Sequence, residues 1–490
     1  MILLFPVLIP LAGGLCTALF RFRSRTARSL FVSAATLAAS AVLGWLVARG
    51  QGMSLSVLRL TENLTIAFRV DGPARVFGGL IAFLWPLATL YAFEYMEHEE
   101  RENAFFSYYL MSYGVTAGIA LSGNLFTLYA FYELLTLVTL PLVLHKMDAT
   151  SIHAGRRYLY YSISGAALAF IGMIFVLTYG ENPATEFVYG GVLDMERVRG
   201  HEDLLLAVFV MSFVGFGVKA AVFPLHHWLP TVSVAPTPVT ALLHAVAVVK
   251  AGAFAIIRVI YYSFGTDFLR GTWAQAVAMG LAAFTIVFGS AMAVKEQHIK
   301  RRLAYSTVSN LSYVVFGAAL MTPAGLAGGL SHMLFHGVMK LTLFSCVGAV
   351  MVQTGRAYVQ ELRGCGRSMP FTFSVFTIVS IALVGIPPLV GFVSKWNIAT
   401  AAAEAGGLWA YIGIAALIVS AVLTAVYLLT IAVTAVFMPP GDSAEIPARC
   451  LDPGWRMKLP LAVLTAVVVI LGVASVPLVR FLNSVAAGLY

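Results

Sequence analysis

Charge is scarce in this chain. Asp, Glu, Lys and Arg make up 11% of its 490 residues, whereas 60% are hydrophobic. A soluble protein draws on about a quarter charged residues, so this composition excludes a water-soluble fold and places the chain in lipid. Cysteine is also sparse: Cys16, Cys346, Cys365 and Cys450 are scattered, with no CxxC pair and no His at zinc-ligand spacing. That excludes an iron–sulfur cluster or a structural zinc and leaves the thiols as apolar fillers between helices. The GxGxxG, P-loop and nucleophile-elbow patterns are missing too. The sequence therefore assigns no catalytic residue, no cofactor-binding residue and no metal ligand to this chain.

Long apolar runs are plentiful instead. A hydrocarbon core of about 30 Å takes roughly 20 helical residues, and runs of that length recur from one end of the chain to the other. They predict an all-α integral membrane fold of fourteen spans, over 2–20, 28–48, 72–93, 104–122, 124–145, 157–180, 204–229, 236–262, 273–294, 302–321, 324–353, 371–403, 407–437 and 459–482. A barrel would alternate apolar and polar residues over about ten positions, and these runs are continuous. The first run has no basic n-region, contains Pro6 and Pro10, and lacks an A-x-A site, so it reads as a retained helix rather than a removable signal. Little length is left for a globular domain. The whole of 1–490 forms one polytopic unit.

The formal charge of +9 resides in short loops, which marks topology rather than a nucleic-acid patch. With the N-terminus outside, eighteen Lys and Arg fall on the inner side, among them Arg21, Arg28, Lys300, Arg302 and Arg449, against eight on the outer side, among them Arg258. The positive-inside rule thus places both termini on the outer side, and the membrane expected is the inner (cytoplasmic) cell membrane. Lys219, Lys250, Lys340 and Lys395 remain deep within spans. A lysine at the bilayer centre costs at least about 2.5 kcal/mol on insertion scales, so these four should line a polar interior.

Glu133 is the one carboxylate placed mid-helix beside them, in Tyr132-Glu133-Leu134, and is the natural partner of Lys219. Such a pair is either a proton-loading switch or a static clamp between helices. Lys219 stands five residues before Pro224, and Lys395 follows Pro387 and Pro388, so spans 7 and 12 should break beside their lysines. Broken helices at membrane depth line cavities, and a matched pair points to a site between inverted repeats. Spans 7 and 12 are each fourth in a block of five if spans 4–8 and 9–13 are the repeats. Five is odd, so the second block is inverted. The division is then 1–103 for helices 1–3, 104–262 and 273–437 for the two repeats, and 459–490 for the last helix. His244 and Lys250 share span 8 but not one face. His332, His336 and Lys340, spaced by four, form one stripe that suits a water-linked relay. His332 and His336 have the i, i+4 spacing of zinc ligands, yet no adjacent Glu and no third ligand accompany them.

These blocks resemble the antiporter-like subunits shared by respiratory complex I, membrane-bound hydrogenases, formate hydrogenlyase and Mrp-type sodium/proton antiporters. The likeness covers most of the chain and is carried by Val70-Asp71-Gly72, Tyr132-Glu133-Leu134, Lys219 with Pro224-Leu225-His226, Ala235-Pro236-Thr237-Pro238, Ile299-Lys300-Arg301-Arg302, and Gly385-Ile386-Pro387-Pro388 with Lys395. The resemblance implies fourteen helices in two inverted five-helix repeats. It makes Glu133 and Lys219 the ion pair of a first half-channel, His244 and Lys250 a connecting relay with His332, His336 and Lys340, and Lys395 the exit-side group. Asn310 stands where several relatives have His or Gln, and no relay step is assigned to it.

The function expected is a non-redox membrane subunit that moves protons, alone or in exchange for sodium, within a complex I-like, hydrogenase or Mrp assembly. No cofactor is expected, and no enzymatic centre beyond the translocase role. The other classes are a stand-alone solute/proton symporter, which would show two six-helix halves, and a non-conducting structural subunit.

Overall fold

The computed structural model describes residues 1–20, 22–61, 64–181, 186–439 and 451–489. Arg21, Arg449 and Cys450 lie outside the described residues. The chain opens with α1 (Phe5–Leu19) and α2 (Arg25–Arg49), then a hairpin of β1 (Ser54–Arg59) and β2 (Thr65–Arg69). Next come α3 (Gly72–Met96), α4 (Glu102–Ala120), α5 (Leu125–Val143), α6 (Ala149–Tyr179) and the short α7 (Met195–Val198). The middle holds α8 (Glu202–Gly217), α9 (Trp228–Thr231), α10 (Thr237–Ala245), α11 (Val248–Arg258) and α12 (Thr266–Leu269). After these run α13 (Trp273–Lys295), α14 (Ile299–Ala319), α15 (Pro323–Thr354) and α16 (Cys365–Ser368). The chain closes with α17 (Pro370–Val384), α18 (Val390–Ala405), α19 (Leu408–Val436), α20 (Trp455–Val473) and α21 (Val476–Ala486).

Among the described residues, 10 helices are long and apolar enough to cross a membrane. The remaining four predicted spans are occupied by α4, by α8 with the turns after it, by α14, and by the α17–α18 pair. The chain is a mostly helical, multi-pass membrane protein. Its helix starts are written locally: Ser24, Asp71, Asn124, Asp148, Thr272 and Thr322 each accept a hydrogen bond from a backbone N–H in the first turn of the helix they precede. Pro73, Pro323 and Pro370 stand in first turns, where a missing N–H costs nothing.

The interruptions differ from expectation in number. Besides the breaks at 218–227 and 385–389, span 8 is interrupted at Val246–Ala247, and the predicted span 459–482 divides into α20 and α21 at Ala474–Ser475. Pro477 explains the second, since it lies in the first turn of a new helix. The first has no Pro or Gly to announce it. His244 and Lys250 therefore sit on two helices, and a rotation counted along one continuous span does not describe them.

Burial ranks the helices. The window Thr237–Phe264 is wholly buried and that of Pro323–Thr354 nearly so. α15 packs against α3, α10, α14, α17, α18, α20 and α21, which makes it the central post. Large apolar side chains such as Leu30 on α2, Tyr160 on α6 and Ile418 on α19 are exposed on the outside, as a surface bathed in lipid requires.

Several basic residues counted for topology are not loop charges. Arg258 is fully buried in α11 and grips Asp71 with both arms, at 2.6 and 2.7 Å. Lys300 donates to Ala235 O at 2.7 Å, Arg302 to Glu296 O at 2.7 Å, and Arg28 is paired with Glu102. The loop-charge asymmetry shrinks on both sides accordingly.

Between α13 and α14 the backbone pairs with the 357–359 stretch: Ile299 N donates to Ala357 O at 2.9 Å and Val359 N to Gln297 O at 3.0 Å. The ring of His298 lies 5.4 Å from that of Tyr358. Burial first, then the charges of Lys300 and Arg301, push this imidazole from 6.5 down to about 4. The unfolded segment thus binds more protons between those values. The pairing is at full strength above about pH 6.5 and is lost as pH falls through about 4. Hydrogen-exchange protection at Ile299 and Val359 should fall across that window, and should stay flat in a His298→Gln variant.

Candidate functional site

α8 stops at Gly217, and the chain runs in turns until α9 begins at Trp228. Unwound backbone in a bundle must find new hydrogen-bond partners, and side chains supply them here. Trp228 Nε1 donates to Val218 O at 2.8 Å, and Phe223 N donates to Thr285 Oγ1 at 3.1 Å. Lys219 lies inside this unwound stretch rather than beside it, because the helix ends well before Pro224. Its ammonium is fully buried. It donates to Tyr132 O, sits 3.5 Å over the Tyr132 ring and lies 3.9 Å from Glu133 Oε1.

Glu133 is less enclosed than its partner. Its side chain is 30% exposed at the bundle surface, although Oε1 is buried and has no hydrogen-bond partner among the described residues. The two charges therefore share an ion pair without a direct hydrogen bond. That contact can be made or broken by a small side-chain movement.

Gly252 joins this corner to the centre. A Cβ on it would come within 2.3 Å of Ala220 N and 2.7 Å of Lys219 C. Only glycine lets α11 rest on the unwound segment, and Lys250 lies on the same helix two residues earlier. Lys250 Nζ is hydrogen-bonded to His336 Nδ1 across to α15. One turn along, the His332 ring stacks on that of His336 with centroids 5.7 Å apart. His332 Nδ1 meets Ser394 Oγ at 2.9 Å, and the residue after Ser394 is Lys395. Lys250, His336 and His332 are all fully buried.

Lys395 closes the line. It lies on α18 and reaches back over the second break, donating to Leu383 O at 2.8 Å and Val384 O at 3.0 Å. These are carbonyls that the end of α17 leaves without helical partners. Gly385, at φ +98, makes the turn, and a Cβ there would lie 3.0 Å from Lys395 Cδ. Pro387 and Pro388 fall in the break itself, whereas Pro224 falls near the end of the first one.

His244 and Lys340 lie off this line. Lys340 turns from the histidine stripe to donate to Leu303 O at 3.0 Å on α14. The His244 ring lies tilted against that of Phe344 with centroids 4.6 Å apart, and neither ring nitrogen has a hydrogen-bond partner among the described residues. Nε2 of both His332 and His336 is likewise open. A buried site with that many unsatisfied nitrogens is one where ordered water belongs, since one water can satisfy two to four polar groups.

Three further features matter that the sequence did not point to as site elements. Asp71 and Arg258 are 187 residues apart, and their ion pair clamps the start of α3 to the end of α11. Ser394 bridges His332 and the Lys395 helix. Gly252 permits the contact between Lys219 and α11. Asp71 does fall in one of the sequence blocks quoted above, and Arg258 was placed in an outer loop.

A Gly252→Ala variant tests the contact. Overpacking of a close helix crossing costs about 1–3 kcal/mol, so its thermal unfolding midpoint should drop clearly. Gly44→Ala, where nothing lies within 4 Å of the new Cβ, should not lower it.

Residues 122–438 match the family described as NADH:quinone oxidoreductase/Mrp antiporter, TM. The chain is 32% identical over 494 residues to NADH-quinone oxidoreductase subunit N of Desulforudis audaxviator, covering 98% of this chain and 95% of the relative. It is 31% identical over 353 residues to hydrogenase-4 component B of Escherichia coli, covering 68% of this chain and 51% of that longer protein. Among solved structures, a chain of the Mrp complex from Dietzia sp. DQ12-45-1b superposes with a TM-score of 0.83 at 23% identity, covering 100% of this chain and 97% of that one. The chain belongs to the NADH:quinone oxidoreductase/Mrp antiporter transmembrane family.

Proposed function

We propose that this chain moves protons, alone or in exchange for a cation such as sodium, as a subunit without redox centres in a larger membrane assembly. The observation that carries the reading is two contacting sets of buried ionisable groups, Glu133 with Lys219 and Lys250 with His336 and His332, brought together where Gly252 rests on the unwound segment, with Ser394 joining His332 to the helix of Lys395. Membrane-buried ionisable groups are rare and mark ion paths. Contacting sets of them, close enough for ordered water to span the gaps, are an arrangement a proton relay can use.

In this reading Glu133, partly exposed, is the loading point. When its carboxylate accepts a proton, Lys219 loses its counter-charge and passes its own proton inward toward Lys250. When Glu133 is ionised again, the ammonium is held in place. His336 and His332 accept and donate through their open nitrogens, and Lys395 discharges beside the second break. His244 and Lys340 flank the line and set its charge balance.

The two breaks, each fourth in its block of spans, support reading 104–262 and 273–437 as inverted repeats with one half-channel apiece. Loop charge supports placing both termini on the outer side of the cytoplasmic membrane. The relatives named above are subunits of larger complexes, which supports membrane partners of the complex I, hydrogenase or Mrp kind for this chain. The driver is a redox reaction or a cation gradient supplied by those partners.

Glu133→Gln and Lys219→Ala, each made in the whole complex, test the reading. Dye-reported proton movement in membrane vesicles should drop by at least about tenfold, equivalent to ~1.4 kcal/mol of barrier, while the subunits still co-purify. Native rates in an assembled complex would sink it.

A further inference from the structure

A second polar seam lies outside the line from Glu133 to Lys395, between α13, α14 and α19. It is made of hydroxyls rather than charges. On α14, Arg302, Ser306, Asn310 and Tyr313 follow at spacings of three and four, so they share one face, and Ser309 lies beside it. On α19, Tyr427, Thr424 and Ser420 do the same in the opposite direction.

The contacts run in order along the seam. Arg302 donates to Tyr427 O at 3.1 Å, and Tyr427 Oη lies 2.7 Å from Ser306 Oγ and donates to Thr424 Oγ1 at 3.1 Å. About one turn deeper, Ser290, Ser309 and Ser420 form a closed triangle of hydroxyl oxygens with sides of 2.8, 2.6 and 3.0 Å. Beyond it Tyr313 donates to Leu417 O at 3.3 Å, and its ring lies 5.0 Å from the His332 ring and 5.2 Å from Lys395 Nζ. At the other end, a cavity of about 290 Å³ is lined by Gln297, Arg302, Arg363 and Tyr427. The seam thus leads from a cavity of mixed polar and apolar lining to the last two groups of the line.

Two observations separate it from ordinary helix glue. Most Ser and Thr side chains in this bundle turn back on the carbonyl four residues earlier, as Thr307 does on Leu303 O and Thr342 on Val338 O. Ser290, Ser309 and Ser420 also bond to one another, with Ser309 within 2.8 Å of Ile286 O as well, while the neighbouring Thr424 keeps the ordinary turn back on Ser420 O at 2.7 Å. A hydroxyl both donates and accepts, so a mutually bonded set can reverse its direction with no heavy atom moving. In addition Asn310, fully buried between the Tyr427 group and the serine triangle, has no partner for Oδ1 among the described residues. An open acceptor at the gap between two hydroxyl groups is a seat for one bridging water.

We propose that this seam is a second proton-access path, feeding the His332 and Lys395 end of the line from the cavity beside Arg302 and Tyr427. The proposal rests on the reading that the line carries protons. At each step a hydroxyl oxygen takes a proton from one neighbour and releases its own to the next, and the last hand-off, from Tyr313 Oη to the open Nε2 of His332, passes through an ordered water. No hydroxyl keeps a charge, and one proton reaches His332 or Lys395 for each one drawn from the cavity. The hydroxyls then turn back to their starting direction.

The test uses the whole complex in membrane vesicles, with dye-reported proton movement measured in H2O and in D2O. Thr424→Val keeps the shape and removes the hydroxyl, Thr424→Ser keeps the hydroxyl, and Tyr427→Phe is an independent second cut. Made in the Lys219→Ala background, Thr424→Val and Tyr427→Phe should each slow the residual movement about tenfold (~1.4 kcal/mol) and enlarge its H2O/D2O rate ratio, while Thr424→Ser restores both. Residual rates and isotope ratios in both cut variants equal to those of Lys219→Ala alone would reduce the seam to helix glue. Slowed movement in the cut variants alongside a fully active Lys219→Ala would keep the seam and overturn the Lys219 switch instead.

Discussion

An ammonium removed from water must be handed other oxygens and a counter-charge, and this bundle is arranged around doing so for Lys219. Its partners are a backbone carbonyl, an aromatic face and one carboxylate at 3.9 Å. The unwound stretch exists where that ammonium sits, and its freed backbone groups are taken up by Trp228 and Thr285. Gly252 brings the next helix against it. Removing Glu133 leaves the buried ammonium without its counter-charge, which costs more than the pair is worth in isolation, whereas removing Trp228 or Thr285 orphans a backbone group of the unwound stretch.

The second break solves the same problem from the opposite side. Lys219 lies within its break and reaches out to a neighbouring helix. Lys395 lies on intact helix and reaches back to the carbonyls that its break exposes. Lys219 is thus held by a carboxylate as well as a backbone carbonyl, and Lys395 by backbone carbonyls. In the proposed path this asymmetry gives the input a switch and the output a fixed seat. Between the two, the wholly buried α10–α11 segment and the nearly buried α15 keep lipid away from the histidines.

Much of this was legible because polar residues in apolar runs stand out. Lysines, histidines and a lone glutamate in lipid-length segments mark themselves, and prolines announced the breaks at 218–227 and 385–389. The histidine stripe followed from spacing alone. What spacing could not show is how helices far apart in sequence meet. Lys250 bonds His336 rather than pairing along its own span, and Lys340 leaves the stripe for Leu303. The interruption at Val246–Ala247 carries no proline or glycine signal. The Asp71–Arg258 clamp joins residues 187 positions apart, so Arg258 looked like a loop charge. Ser290, Ser309 and Ser420 are ordinary small residues in their own helices and become a cluster only when three helices converge.

The claim on which the account stands is that Glu133 changes protonation as the chain works. Infrared difference spectroscopy of the intact complex during turnover reads this directly. The account predicts a protonated-carboxyl band that appears and decays with turnover and is missing in Glu133→Gln. A carboxylate that stays ionised throughout, with proton movement continuing, would contradict it.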